Sequence, residues 1–353
     1  MSSSAPELVA TPDNPIPPTA ASEQVTAADG VRLRVARWLP EGPPEAARGI
    51  VIVLQGRGEF IEKYFETVGE LRARGFHVVA FDWRGQGDSQ RLLRRRRNKP
   101  VQAGHVHDFA AYQRDLDAVL AHVGATLPAL PRFALCHSMG GTLALLRAAS
   151  PGRGGDFARI VMTAPMIALS PALAPPFAAA LARLGLCFGL SRVMAPGGRR
   201  VATPLRPFDG NRLTRDAARF SRIRGIIERS PSLALADPTF GWLAAAFRAM
   251  ERLAAPRFAL SVATPVLVIA AGADRIVSTP ATERFGARLK AGNAIVIPYA
   301  RHEILMETDD VRAFFWAAFD AFIPGQGLME GQGLLEEGNG AADQPLSSAN
   351  AAS

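Results

Sequence analysis

Short continuous apolar blocks alternate along the chain with stretches in which apolar residues recur every three or four positions. The block at 50–54, Ile-Val-Ile-Val-Leu, has no polar position, which marks a strand covered on both faces of a sheet. Blocks at 78–83, 133–135, 160–164, 266–271 and 294–298 read the same way. Two earlier stretches, 24–28 and 31–39, flank Asp29-Gly30, a hairpin signal. Helical spacing fits 64–74, closed by Gly75, and 109–123, with Asp108 as N-cap and Gly124 as stop. It also fits 142–149, 281–290 with Pro280 near the first turn, and 310–322. Alternation of this kind implies an α/β protein: a mostly parallel, eight-stranded sheet with helices on both faces.

The alternation breaks between 168 and 258, a region rich in Ala, Pro and Arg with helical stretches and no convincing strand. This segment is expected to form a helical cap inserted after the sixth strand. It would lie over the carboxyl ends of the strands, where open α/β sheets carry their sites. The core then comprises 23–167 and 259–323. Residues 1–22, rich in Pro, Ser and Ala, and the tail 324–353 are expected to be disordered.

Composition narrows the function classes. With 48% hydrophobic and 20% charged residues, a chain of 353 residues suits a globular protein with a large core. Cys136 and Cys187 are the only cysteines, too few for a disulfide framework or a cysteine metal site. The amino terminus lacks the basic and apolar regions of a secretory signal. The greasiest stretch, 172–190, is interrupted by Pro175, Pro176 and Arg183 and makes a poor membrane span. A cytoplasmic protein is expected. Of the 40 basic residues only Lys63, Lys99 and Lys290 are lysines, and the formal net charge is +8. The basic run 91–99 would suit peripheral contact with an anionic lipid surface at the inner face of the membrane. No aromatic residue interleaves with that run and no recognition motif accompanies it, so nucleic acid is not an expected partner.

The stretch 133–149, FALCHSMGGTLALLRAA, carries the chemistry. A strand runs into a sharp turn with Ser138 at its apex, and a helix follows at once. Such an elbow lifts Oγ above the sheet and aims the next backbone N–H, that of Met139, at a developing oxyanion. Cys136 stands where G-x-S-x-G has its first glycine. A serine nucleophile needs a base, and the base an orienting acid. Of the six histidines only His302 follows directly on a late strand, where its side chain can turn over the sheet edge. Asp274, in PVLVIAAGADRIVS, lies between serine and histidine at the end of a strand. Asp82 also ends a strand but precedes the serine, and it reads as a loop-holding residue with Arg84 pairing locally. The order Ser138, Asp274, His302 is that of the α/β-hydrolases. The second oxyanion donor should come from the loop at 54–59, whose glycines let N–H groups approach a ligand. The donors are therefore assigned to Arg57 and Met139, with Gly56 against the substrate. The Arg57 side chain is expected at the pocket mouth, where it could pair with phosphate. Within the insertion, 176–190 is apolar nearly all round, and Phe177 and Leu181 are expected on an acyl-chain wall.

Taken together, Q-G-R-G-E followed by Lys63-Tyr64, D-W-R-G-Q-G-D-S, H-S-M-G-G, A-D-R-I-V and R-H-E-I-L-M-E resemble the lysophospholipase and monoacylglycerol-lipase branch of the α/β-hydrolases, which is serine aminopeptidase S33-like. The resemblance covers residues 24–323. GNRLTRDAARF and DPTFGWL are similar to the bacterial lysophospholipase subgroup. It implies cleavage of a single-chain acyl glycerol ester through a serine acyl-enzyme, with no metal or organic cofactor. Gln55-Gly56 replaces the His-Gly usual in that branch, and Arg57 stands where its lipases carry a small residue. Two other readings compete: an esterase of soluble short-chain esters, and an idle member that binds a partner through its cap. Dehalogenase and epoxide-hydrolase chemistry would need a carboxylate at the elbow, where this chain has Ser138.

Overall fold

The computed structural model describes residues 6–93, 102–173 and 175–324. In chain order the elements are β1 (Ala21–Thr26), β2 (Arg32–Trp38), β3 (Gly49–Leu54), α1 (Phe65–Ala73), β4 (Phe76–Phe81), β5 (Gln102–Gly104), α2 (Ala110–Thr126), β6 (Arg132–His137), α3 (Met139–Ala148) and β7 (Arg159–Thr163). Then follow α4 (Pro175–Cys187), α5 (Ala217–Arg229), β8 (Leu235–Pro238), α6 (Phe240–Ala254), α7 (Phe258–Ser261), β9 (Val266–Ala271), α8 (Thr279–Gly286), β10 (Gly292–Ile297) and α9 (Asp309–Phe322).

Eight strands form one sheet in the order β1-β2-β4-β3-β6-β7-β9-β10. The β1–β2 and β2–β4 pairs are antiparallel and the others parallel. The protein therefore has the α/β-hydrolase architecture. The continuous apolar runs sit in the middle: every residue of β3, β4 and β9 is buried, because helices cover both faces. Neighbouring β3 and β6 connect in opposite directions along the sheet, so their carboxyl ends open a crevice. The residues of the site gather there.

Three expectations are corrected. Residues 6–22 are not disordered: Leu8 is buried in the core, Val9 N donates to Glu62 Oε1 (3.2 Å), and Asn14 Nδ2 donates to Glu62 O (2.9 Å). A few isolated anchors hold a segment whose average composition reads as loose. The insertion is not purely helical, since β8 pairs in parallel with β5 from the core. Strands this short show no periodicity of their own. Helix α2 runs through Gly124 and stops at Leu127, where Pro128 disfavours a helical conformation. Residues 1–5, residues 94–99 of the basic run and the tail from 325 lie outside the described residues.

Candidate active site

Strand β6 ends at His137 and α3 begins at Met139, leaving Ser138 at φ 49°, ψ −112°. Left-handed φ is costly for a residue with a side chain and is held here by tight packing. A Cβ on Gly140 would stand 1.9 Å from the Leu54 carbonyl oxygen, and one on Gly141 2.8 Å from Pro165 Cβ. Only glycines let α3 leave β6 so close to β3 and to the chain after β7. Ser138 N donates to Thr163 O (3.1 Å), which ties the elbow to the neighbouring strand.

His302 lies in the loop after β10, and Asp274 in the loop after β9. His302 Nε2 is 3.0 Å from Ser138 Oγ, and His302 Nδ1 is 2.8 Å from Asp274 Oδ2. The other Asp274 oxygen, Oδ1, accepts the backbone N–H groups of Ile276 (2.7 Å) and Val277 (3.0 Å). Burial would raise this carboxyl. The His302 ring beside it and those two N–H groups outweigh burial and hold it below the ordinary aspartate value. A carboxylate at Nδ1 keeps the proton there and leaves Nε2 free to accept from the serine. The structure thus brings Ser138, Asp274 and His302 together at the strand ends, where Ser138 and His302 are buried and the Asp274 side chain is covered.

Asp82 makes no such contact. It accepts from Ile61 N, Asp88 N and Arg34 Nε (3.0, 2.8 and 2.8 Å) and holds the loop after β4. Arg84 does not pair locally. It binds Asp115 and Asp29, distant in sequence.

In the loop after β3, Gly56 N donates to the Glu59 carboxylate, which also accepts from Lys63 Nζ and from Tyr64 OH (2.7 Å). Lys63 in turn reaches Glu303, the neighbour of His302, at 2.7 Å. Burial would raise Glu59, but Lys63 and His137 beside it hold its carboxyl low. His137 packs its ring 4.9 Å from the His302 ring, and burial lowers it to about 4, so it is neutral. This network ties the loop after β3 to the loop of His302. The reading of the sequence missed it, although the four-residue spacing of Glu59 and Lys63 was a usable signal. With Gly56 N occupied, the N–H groups of Arg57 and Met139 remain, and among the described residues neither donates to an acceptor.

A cavity of about 820 Å³ opens over these groups and is lined by Ser138, His302, Gly56, Arg57 and Met139. Its lining combines apolar residues, Met166, Leu169, Ile223 and Ile276, with arginines of the insertion. Phe177 and Leu181 do not line it, which corrects the expected acyl wall: Phe177 is 70% exposed on the outer side of α4. Gly185 turns the opposite face of α4 inward, where a Cβ would meet the Phe240 ring at 2.5 Å. The Arg57 side chain also departs from expectation. It donates to Ala236 O on β8 and stacks 5.1 Å from the Trp242 ring. Burial lowers its guanidinium to about 10.

The chain matches the Hydrolase_4 family, described as serine aminopeptidase S33, over residues 45–309. It belongs to this family. It is 31% identical over 274 residues to lysophospholipase L2 of Escherichia coli K12, covering 75% of this chain and 77% of that one. The probable lysophospholipase L2 of Haemophilus influenzae is 28% identical over 274 residues, covering 76% and 82%. A soluble variant of Saccharomyces cerevisiae monoglyceride lipase superposes with a TM-score of 0.69 over 91% of this chain and 98% of that one, at 22% identity. With this fold and these relatives, the family member described here is a carboxylic ester hydrolase. Among the described residues no group of His, Cys, Asp and Glu could hold a metal ion, and no helix is long and apolar enough to cross a membrane.

Proposed function

We propose that the protein hydrolyses the ester of a single-chain acyl lipid, a lysophospholipid or a monoacylglycerol, through an acyl-enzyme on Ser138. The observation that carries this is the mixed lining of the cavity over Ser138, in which apolar residues suited to one acyl chain occur together with arginines suited to a polar head. His302 Nε2 takes the proton as Ser138 Oγ attacks the ester carbonyl, and Asp274 stabilises the imidazolium. The N–H groups of Arg57 and Met139 receive the oxyanion. The intermediate collapses as His302 protonates the departing glyceryl oxygen. Water then repeats the sequence on the acyl-enzyme and frees the fatty acid and Ser138. Names of the relatives agree with this substrate class. Purified protein should hydrolyse long-chain monoacyl lipids with kcat/KM at least about tenfold above soluble butyrate esters, since each buried methylene contributes roughly 0.8 kcal/mol. Equal rates across chain lengths would favour a soluble-ester hydrolase.

A lipid substrate has to be drawn from a surface, and the outer face of α4 suits that task. Phe177, Leu184 and Phe188, exposed by 70%, 53% and 72%, form one stripe at seven- and four-residue spacing. Arg183 and Arg192 are exposed nearby in sequence. Such a face fits peripheral docking on an anionic bilayer. Phe177→Ser with Phe188→Ser is expected to weaken binding to anionic vesicles about thirtyfold, roughly 2 kcal/mol for two rings only partly inserted. Cosedimentation that stays at the wild-type level would remove α4 as the docking face.

A further inference from the structure

Six cationic residues line the cavity over Ser138, and the side chains of four already have acceptors. Lys63 lies between Glu59 and Glu303, Arg219 binds Glu66, Asp216 and Asp309, Arg206 binds Asp237 at 2.9 Å, and Arg57 donates to Ala236 O. Arg199 and Arg212 differ: among the described residues neither guanidinium has a hydrogen-bond or ion-pair partner. Their backbones, by contrast, are firmly held. Arg199 N donates to Asp237 Oδ2 (2.7 Å) and Arg199 O accepts from Asp237 N (3.1 Å). Arg212 sits in a turn closed by Asn211 Oδ1, which accepts from Leu213 N and Thr214 N. That turn is tied to the loop of His302 by four hydrogen bonds: Glu303 N donates to Leu213 O (2.8 Å), Thr214 Oγ1 to Met306 O (2.6 Å), and Arg301 Nη1 to the carbonyls of Asn211 and Thr214.

A fixed backbone carrying an uncommitted guanidinium into a reaction cavity is the arrangement that recognises an anion, because the arginine gains a partner only when the anion arrives. Asp209 is the one lining carboxylate that no described cation holds, so the two free arginines leave this wall positive. We propose that Arg199 and Arg212 form a subsite for the phosphate of a lysophospholipid head group, with Arg212 the principal contact because its turn moves as one piece with the loop of His302. The inference rests on the single-chain lipid reading above and deepens it: phosphate-bearing substrates are preferred over neutral monoacylglycerols.

The experiment compares kcat/KM for palmitoyl lysophosphatidylethanolamine and palmitoyl monoacylglycerol, at fixed salt, in wild type, Arg212→Ala, Arg199→Ala and the double variant. The lysophospholipid-to-monoacylglycerol ratio should fall about tenfold in Arg212→Ala and further in the double variant. Arg212→Lys should recover part of it, since a lysine keeps the charge but loses the planar fork. A ratio unchanged within twofold in the double variant overturns the subsite. So does a site for free anion only: inorganic phosphate inhibiting monoacylglycerol hydrolysis in wild type but not in Arg212→Ala, with the ratio unmoved. Wild-type protein that cleaves neither lipid would instead overturn the substrate class, and the two failures are distinct.

Discussion

Ser138→Ala is expected to abolish ester hydrolysis, with kcat falling by at least roughly four orders of magnitude. Removing a nucleophile leaves only the residual acceleration from the oxyanion donors and binding. The fold should survive. Among the described residues the serine hydroxyl bonds only to His302 Nε2, and alanine meets the same backbone angles at the elbow. His302→Ala should be about as damaging, and the double variant no worse than either single change, because serine and imidazole act as one unit. Steady-state hydrolysis of a monoacyl lipid and labelling by a fluorophosphonate reagent both read this out. A Ser138→Ala protein that turned over within tenfold of wild type, or still took the label, would exclude the acyl-enzyme on this residue.

Asp274→Asn carries the second large effect, and the geometry specifies its cause. Oδ1 is held by the N–H groups of Ile276 and Val277, so the asparagine must keep its carbonyl oxygen there. Its amide NH2 then faces His302 Nδ1, where the carboxylate stood. Two donors cannot share that contact. The imidazole proton is driven to Nε2, the atom that must accept from Ser138. A loss of about 10³–10⁴ in kcat is expected, with little change in KM. Asp82→Asn is the contrast. It removes a buried charge beside Arg34 and should lower thermal stability, while each folded molecule keeps its activity, because among the described residues Asp82 has no hydrogen bond to His302 and does not itself line the cavity. Circular dichroism melts beside initial rates per folded protein separate the two. Inactive but stably folded Asp82→Asn together with active Asp274→Asn would exchange their roles.

Much of the sheet was legible because its central strands are buried on both faces. A run such as Val266–Ala271 can then be only apolar, and it appears in the sequence as an uninterrupted block. The elbow was legible for a related reason: a serine at left-handed φ between a strand and a helix requires glycines where backbones nearly touch, and the string S-M-G-G records that contact. Ser138, Asp274 and His302 could be chosen from their places after strands, although 164 residues separate the first from the last.

The errors share one origin. Residues 6–22 looked loose because their long-range anchors are single groups: Val9 N and Asn14 Nδ2 both bond to Glu62, 53 and 48 positions away. The 176–190 stretch looked like the wall of an acyl pocket because hydropathy records which residues avoid water and not which surface they face. Packing of Gly185 on Phe240 turned Phe177 outward. Arg57 looked available to substrate because its partners, Ala236 O and the Trp242 ring, belong to the insertion about 180 residues later.

The sequence by itself determined the alternation of strands and helices, the elbow and the order of the three candidate catalytic residues, since each is written in local periodicity or in residue types that a backbone turn demands. Only the tertiary structure decided which arginines are spent on internal partners and which remain free among the described residues, where the apolar face of α4 points, and how Glu59 and Lys63 bind the loop after β3 to the loop of His302. Those are properties of pairs distant in the chain. A charge or an apolar surface is committed by whichever group folding brings beside it, and one-dimensional spacing does not encode that neighbour.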